Sequence, residues 1–88
     1  MALSLSEMRM KNKEAGQHFF DKGNPPVLNK YGDYLVTKGF GGSYVIYKFN
    51  ESNSHIDLVD NPQGEYSWQP YEKKEDAVNY AKKLGKGN

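Results

Sequence analysis

The sequence predicts an α+β domain: an N-terminal helix, a three- to five-stranded antiparallel sheet, and a C-terminal helix packed on one face of that sheet. Helical signals occur only near the two ends of the chain, and the segment between them alternates short apolar runs with turn-forming residues. The length of 88 residues fits one unit. We therefore assign residues 1–88 to a single domain in which residues 86–88 are frayed.

The composition predicts a small core made of a few large rings. Hydrophobic residues make up 36% of the chain and aromatic residues 14%. A disordered chain would be poor in aromatic residues, whereas a few buried rings can supply much of a small core. The mean hydropathy of −0.90 leaves most of the surface polar.

The first helix is predicted from its N-terminal signal. Ser4 and Glu7 have the spacing of a capping box, in which each side chain accepts a hydrogen bond from the backbone amide of the other residue. We expect the helix to cover residues 5–15 and to end at Gly16, which adopts the left-handed conformation without strain. Its apolar face is narrow, so the helix must dock on the rest of the domain to be stable.

The segment after this helix predicts one short strand and one long loop. Residues 17–20 are apolar enough for a strand. Residues 21–33 contain Pro25 and Pro26, which cannot donate hydrogen bonds to a ladder. We therefore expect a loop there, with Val27 and Leu28 folded back onto the core.

The remaining strands are predicted from alternation and turn residues. Residues 34–38 and 43–49 indicate a hairpin around the glycine-rich segment 39–42. Both faces of the second strand are partly apolar, so we place it in the centre of the sheet. Residues 55–59 and 65–69 complete the sheet as two further short strands.

The last helix has the clearest pattern of the chain. We expect it to cover residues 73–84, because Ala77, Ala81 and Leu84 recur on one face. Acidic residues lie at its N-terminal end and lysines at its C-terminal end, which suits the helix dipole. Gly85 is expected to end it.

Few residues of this chain are suited to catalysis or metal binding. The chain has no cysteine, which excludes disulfides, thiolate chemistry and zinc sites with sulfur ligands. His18 and His55 are the only histidines, and their spacing matches no recurring metal motif. Each is expected at a strand end, half exposed. We predict a protein that is not an enzyme and has no metal and no cofactor.

The glycine-rich segment 39–42 has two interpretations. Its backbone amides could cradle a phosphate, but phosphate loops open a helix and this segment leads into a strand. A mobile hairpin tip is the favoured interpretation. Phe40 at that tip is then either folded back as a lid or offered to a partner.

The charge pattern argues against a dedicated nucleic-acid binder. Twelve basic and eleven acidic residues give a net charge of +1, and Arg9 is the only arginine. Nucleic-acid binders concentrate basic residues on one face and favour the planar guanidinium for base and phosphate recognition. The alternative function is weak nucleic-acid binding through surface tyrosines and the lysines of the last helix, at positions 82, 83 and 86.

The sequence also indicates the cellular compartment. No apolar run approaches the ~20 residues needed to cross a bilayer, and residues 1–10 lack the pattern of a secretory signal. The absence of cysteine fits a reducing cytosol. We expect a cytoplasmic protein that does not contact membranes and is a monomer or weak dimer.

Aromatic side chains are the main candidates for a binding surface. Seven tyrosines cannot all be buried in so small a core, and tyrosine and tryptophan are enriched at interfaces. We predict a partner-binding surface around Phe40, Tyr44, Tyr47 and Trp68. Tyr44 and Tyr47 point to opposite faces of one strand, so only one of them can join Phe40. In the competing interpretation, Trp68 is the centre of the core and Phe40 covers it.

Several segments resemble a family of small uncharacterised phage and prophage proteins. The first is Asn-Lys-Glu-Ala-Gly-Gln-His-Phe-Phe-Asp at residues 12–21, where a helix ends at Ala-Gly and leads into a His-Phe-Phe strand. The strands at residues 44–49 and 55–59 and the helix start at residues 71–77 are similar to the family's strand–strand–helix close. The segment 23–33 departs from the family, which has a strand with a Met-Arg-Phe-Phe-like sequence where this chain has Pro-Pro-Val-Leu.

The resemblance implies an origin on a mobile element. The family has no established activity, so it implies no mechanism. Small phage accessory proteins often act by binding a host protein. Together with the residue analysis, this predicts a non-enzymatic binding module whose partner is a host protein, such as a defence or regulatory factor.

Overall fold

The computed structural model describes residues 3–17, 26–66 and 68–86 and confirms the predicted α+β architecture. Its elements are α1 (Leu5–Glu14), β1 (Val27–Tyr31), β2 (Tyr34–Lys38), β3 (Tyr44–Asn50), β4 (His55–Leu58) and α2 (Lys74–Lys86). The four strands form one antiparallel sheet in the order β1-β2-β3-β4. Strand β3 is therefore an inner strand, as its two apolar faces predict.

Each face of the sheet carries its own cluster of buried side chains. On one face, α2 packs against strands β1, β2 and β3. The buried residues there are Tyr34, Val36, Ile46, Tyr71, Ala77 and Ala81. On the other face the buried cluster consists of Met8 from α1 with Leu35, Phe49 and Ile56 from the strands. The two helices thus lie on opposite sides of the sheet, and the domain has three layers.

The β2–β3 hairpin closes as the glycines predict. The backbone amide of Gly39 donates to the carbonyl oxygen of Ser43 at 2.8 Å. Residues Phe40–Gly42 form one turn of 3-10 helix, in which Gly41 and Gly42 have φ angles of 63° and 76°. Residues with a Cβ atom rarely adopt these backbone angles, so the glycines make this tight turn possible.

The start of α1 has the predicted capping box. The Ser4 hydroxyl accepts from the Glu7 amide at 3.2 Å, and the Glu7 carboxylate accepts from the Ser4 amide at 3.1 Å. The backbone hydrogen bond from Ser4, followed by the bond from its side chain, holds the pKa of Glu7 below its ordinary value. The helix ends at the predicted place, since Gly16 has a φ of 86°.

Polar side chains attach the end of α1 to the β3–β4 hairpin. Asn12 is almost fully buried, and its side-chain amide donates to the backbone oxygen of Ser54 at 3.0 Å and to the side-chain oxygen of Gln17. The Gln17 amide in turn pairs with the backbone of Ile56: its oxygen accepts from the Ile56 amide at 2.7 Å, and its nitrogen donates to the Ile56 carbonyl at 3.2 Å. One side chain therefore satisfies both outward backbone groups of Ile56 on edge strand β4.

Two expectations about strands are wrong. The loop predicted over residues 21–33 becomes strand β1 from Val27 onward, with a register shift between Val27 and Asn29. Prolines exclude a central strand but not the residues that follow them on an edge strand, and β1 lies at the edge. The strand predicted at residues 65–69 is absent at its described residues 65, 66, 68 and 69. The predicted strand at residues 17–20 falls outside the described residues except for Gln17, which is not in a strand.

The predicted end of the last helix is also wrong, because α2 continues through Gly85 to Lys86. Gly85 has a packing role there. A Cβ atom at this position would lie 2.7 Å from the carbonyl oxygen of Tyr31, closer than real Cβ contacts allow. The missing side chain lets the last turn of α2 lie directly against the end of β1.

We predict that Gly85→Ala destabilises the domain by about 1–3 kcal/mol, the usual cost of forcing an extra group into a packed contact. The sign of the change in unfolding free energy distinguishes the two cases, because a glycine-to-alanine change inside an exposed helix would stabilise the protein by about 1 kcal/mol. Urea denaturation followed by circular dichroism measures the difference. Asn79→Ala, at an exposed position of the same helix, is the control and should be neutral or slightly stabilising. A more stable Gly85→Ala variant would show that α2 does not lie against β1.

We predict that Asn12→Leu destabilises the domain by about 1–3 kcal/mol, because the carbonyl oxygen of Ser54 loses its donor and Gln17 loses a partner in a part-buried site. Lys13→Ala, which alters an exposed residue of α1, should leave the unfolding midpoint within about 0.5 kcal/mol of the wild type. Equal midpoints for both variants would contradict a structural role for the Asn12 amide.

Candidate functional site

The segment between β4 and α2 leaves strand β3 and returns to it. Strand β4 ends at Leu58, so no strand of the described residues lies beside the first half of β3 on that side. The Val59 amide donates to the carbonyl of Ile46 at 2.9 Å. Tyr71 exchanges two backbone hydrogen bonds with Tyr44, at 2.6 and 2.8 Å. Both ends of the intervening residues 60–70, hereafter the aromatic loop, are therefore fixed to the same strand.

Hydrogen bonds inside the aromatic loop hold its shape. Asn61 is buried, and its side chain donates to the carbonyl oxygen of Gln69 at 2.9 Å and accepts from the amide of Gln63 at 3.0 Å. The side-chain oxygen of Gln69 accepts from the Glu65 amide at 2.7 Å. A Cβ atom at Gly64 would lie 2.8 Å from Cβ of Gln69, so the loop closes tightly at that point. These contacts replace the strand that alternation predicted here.

Two aromatic side chains of this loop are stacked on one another and exposed to solvent. The rings of Tyr66 and Trp68 lie 5.1 Å apart with an angle of 6° between their planes. Their side chains remain 55% and 62% exposed. An aromatic pair of this kind gains about 0.5–1.5 kcal/mol from stacking while leaving the outer face of each ring to the solvent. The pair is thus an ordered apolar surface outside both buried clusters.

The surroundings of this pair are acidic in sequence. Residues 57–76 contain six acidic and two basic residues, which leaves ten basic and five acidic residues in the rest of the chain. Asp60, Glu65 and Glu72 are all exposed. The two lysines, Lys73 and Lys74, follow at the start of α2. A chain with a net charge near zero therefore has one distinctly negative segment, and that segment carries the stacked rings.

The described members of the predicted binding surface lie in different surroundings. Trp68 is exposed, so the interpretation in which it is the centre of the core is wrong. Tyr44 is half-buried beside the cluster under α2, and Tyr47 is half-buried beside the cluster under α1. Burial raises the pKa of Tyr47. The side chain of Phe40 is outside the described part of the structure.

Tyr66 is the residue that the sequence analysis left out of the surface. Its spacing of two from Trp68 was the available signal, since residues two apart lie on one face of a strand. The same two rings meet in the loop by stacking instead. Spacing alone could not distinguish the two arrangements.

A concavity lies between α2 and the β3–β4 end of the sheet. It has a volume of about 320 Å³, and its polar lining comes from Lys48, Asn50, Asp57 and Asp60. Asn50 donates a hydrogen bond to the Asp57 carboxylate, and the Lys48 ammonium lies 5.7 Å from the centre of the Tyr34 ring. Asn50, Asp57 and Lys48 thus already have partners within the fold.

The histidine expectations can be checked only in part. His55 is the first residue of β4 and is half-buried, as predicted, whereas His18 is outside the described residues. Within residues 3–17, 26–66 and 68–86, no group of three or more His, Asp or Glu side chains could hold a metal ion.

No family model, curated protein or solved structure matches this chain. Among the described helices, none is long and apolar enough to cross a membrane.

The tyrosine that fixes the end of the aromatic loop predicts a pH dependence. Tyr71 is buried, and its hydroxyl has no hydrogen-bond partner among the described residues. Burial, with smaller effects of Tyr80 and Asp76, raises the pKa of Tyr71 from 10.0 to about 12. The protonated form therefore favours the folded state. This contribution to stability is complete below about pH 10 and is lost as the pH rises through about 12.

We predict that Tyr71→Phe keeps or gains stability at pH 7, because the substitution removes a buried hydroxyl without a partner. When the pH is raised from about 9 to about 11.5, the unfolded wild type ionises at Tyr71 before the folded protein does. The variant should therefore lose less stability than the wild type over this range. Urea midpoints at the two pH values measure this. The exposed Tyr66→Phe variant is the control and should follow the wild type. If Tyr71→Phe loses as much stability at alkaline pH as the wild type does, the Tyr71 hydroxyl is not the cause of the pH dependence.

Proposed function

We propose that this chain is a non-enzymatic binding module that engages a protein partner through the aromatic loop. The observation that supports the proposal is the exposed, stacked pair of Tyr66 and Trp68. Tryptophan and tyrosine are the residues most often responsible for binding energy at protein interfaces. Here both are held before any partner arrives, which lowers the entropy lost on binding.

The construction of the loop supports a binding role over a purely structural one. Its ends and interior are ordered by backbone and amide hydrogen bonds, from Val59, Tyr71, Asn61 and Gln69. The two rings are not needed to fill either buried cluster. The polar groups of the loop thus hold its shape, and its two largest apolar side chains remain exposed. This arrangement is suited to presenting those side chains to a partner.

A protein partner fits this loop better than a nucleic acid does. An exposed tryptophan can stack on a base, but affinity for nucleic acids comes largely from neutralising phosphates. The exposed residues Asp60, Glu65 and Glu72 would repel phosphates at this position. The lysines at the far end of α2 lie up to ~18 Å along the helix axis from its start, at 1.5 Å per residue.

The biological setting is part of the same proposal. On the resemblance of its helix, strand and helix-start segments, we propose a phage or mobile-element accessory protein that binds a host protein, such as a defence or regulatory factor. We place it in the cytoplasm as a monomer or weak dimer that uses no cofactor.

The proposal is tested by comparing two exposed apolar positions. Tagged wild type, Trp68→Ala and Met10→Ala are incubated with an extract of the native host, and captured proteins are quantified by mass spectrometry. Met10 is the matched control, because its side chain is 63% exposed on α1, far in sequence from the loop.

We predict that Trp68→Ala loses at least about 90% of a specifically captured protein, which corresponds to the loss of a hot-spot residue. Met10→Ala should retain it. Both variants should unfold within about 1 kcal/mol of the wild type, since each changes an exposed side chain. A partner captured equally by Trp68→Ala and wild type would place the binding surface elsewhere.

A further inference from the structure

We propose that the aromatic loop binds a cationic peptide segment, with an arginine or lysine of the partner placed on the free face of Trp68 and its charge facing the carboxylates of the loop. This inference rests on the proposed function and names the chemistry of the partner.

The stacked geometry determines which surface is available. Since the two rings are parallel within 6° and 5.1 Å apart, each covers one face of the other. With 62% of Trp68 exposed, its opposite face is open to solvent. The face of an indole ring is the aromatic surface that attracts cations most strongly, and the attraction operates within about 6 Å of the ring centre.

The charge around the ring selects the same kind of ligand. Glu65 precedes Tyr66 directly, Asp60 is the first residue of the aromatic loop, and Glu72 follows Tyr71 just beyond its end. These three side chains are exposed, and the chain has no lysine or arginine between positions 49 and 72. Exposed carboxylates near a binding surface attract a cation and repel an anion, and salt screens this effect over about 8 Å at physiological ionic strength.

The loop backbone offers little to a partner, which favours recognition by side chains. The amides of Gln63, Glu65 and Gln69 donate within the loop, and the carbonyls of Asn61, Tyr66 and Gln69 accept within it. An added strand would need these groups free. The ring face and the carboxylates are therefore the features available to the partner.

Arginine should bind better than lysine at such a site. Its planar guanidinium stacks on an aromatic face while its N–H groups reach a carboxylate, whereas the ammonium of lysine is a more strongly hydrated point charge. We expect the order arginine, lysine, neutral and acidic among otherwise equal segments.

Trp68 is the only tryptophan, so its fluorescence reports on this site directly. The probes are capped octapeptides that alternate serine with arginine, lysine, glycine or glutamate. We expect the arginine peptide to change the Trp68 emission saturably and to bind at least about tenfold tighter than the glycine peptide, with weaker binding at high salt. The glutamate peptide should have no effect. Equal affinity for the arginine and glycine peptides would overturn the inference.

Charge variants provide the matched comparison. The double variant Glu65→Gln/Glu72→Gln keeps both rings and should bind the arginine peptide about three- to tenfold more weakly than the wild type does. Glu14→Gln combined with Glu51→Gln removes two exposed carboxylates elsewhere and should have no effect. Equal weakening by both pairs would show a general charge effect and overturn the site.

The same variants separate this inference from the proposed function. If host-protein capture depends on Trp68 but is unchanged in Glu65→Gln/Glu72→Gln, the binding module stands and the cationic partner is wrong. If capture does not depend on Trp68, the proposed function fails, whatever the peptides do. Sedimentation that shows self-association lost in Trp68→Ala would make a second copy of the chain the occupant and overturn the inference.

Discussion

The fold depends on strand β3, which buries a large side chain on each face of the sheet. Ile46 belongs to the cluster under α2 and Phe49 to the cluster on the α1 side. A sheet that is apolar on both faces needs a cover on both, and each helix supplies one. The covers are unequal. Ala77 and Ala81 bring α2 close to the sheet, whereas α1 contributes chiefly Met8 and completes its attachment with the amides of Asn12 and Gln17.

The aromatic loop is a consequence of the unequal lengths of β3 and β4. Because β4 ends early, the backbone of β3 around Tyr44 and Ile46 needs other partners, and the residues flanking the loop provide them. The sheet thereby fixes both ends of the loop without using Tyr66 or Trp68. Because the two rings belong to neither buried cluster, they can be exposed to solvent and still be stacked on each other.

The elements whose signals are local are predictable from the sequence. The capping box of α1, the glycine turn of the β2–β3 hairpin and the small-residue face of α2 are properties of neighbouring residues. Strand β1 was missed because two prolines precede it, although an edge strand tolerates them. Residues 65–69 were assigned to a strand because alternating aromatic residues fit one, but amide side chains satisfy the backbone there instead.

The candidate site was predictable only at its most unusual residue. Trp68 is a candidate by its residue type, the sequence leaves its burial open, and the structure shows it exposed. Tyr44 and Tyr47 lie on opposite faces of β3, as the alternation predicts, and each borders a buried cluster. The acidity of residues 57–76 was visible in the sequence. Its relation to a stacked ring pair requires the path of the loop, which depends on contacts between residues far apart in the chain.

The amide of Gln17 also bears on how this protein behaves at high concentration. An edge strand with free backbone groups is a template on which another chain can add a strand, and this is a common route to aggregation. At β4, the Gln17 side chain occupies both outward groups of Ile56. At the opposite edge, the irregular register of β1 disturbs the ladder between Val27 and Asn29. Within the described residues, these two features leave each border of the sheet less regular as a template for an added strand.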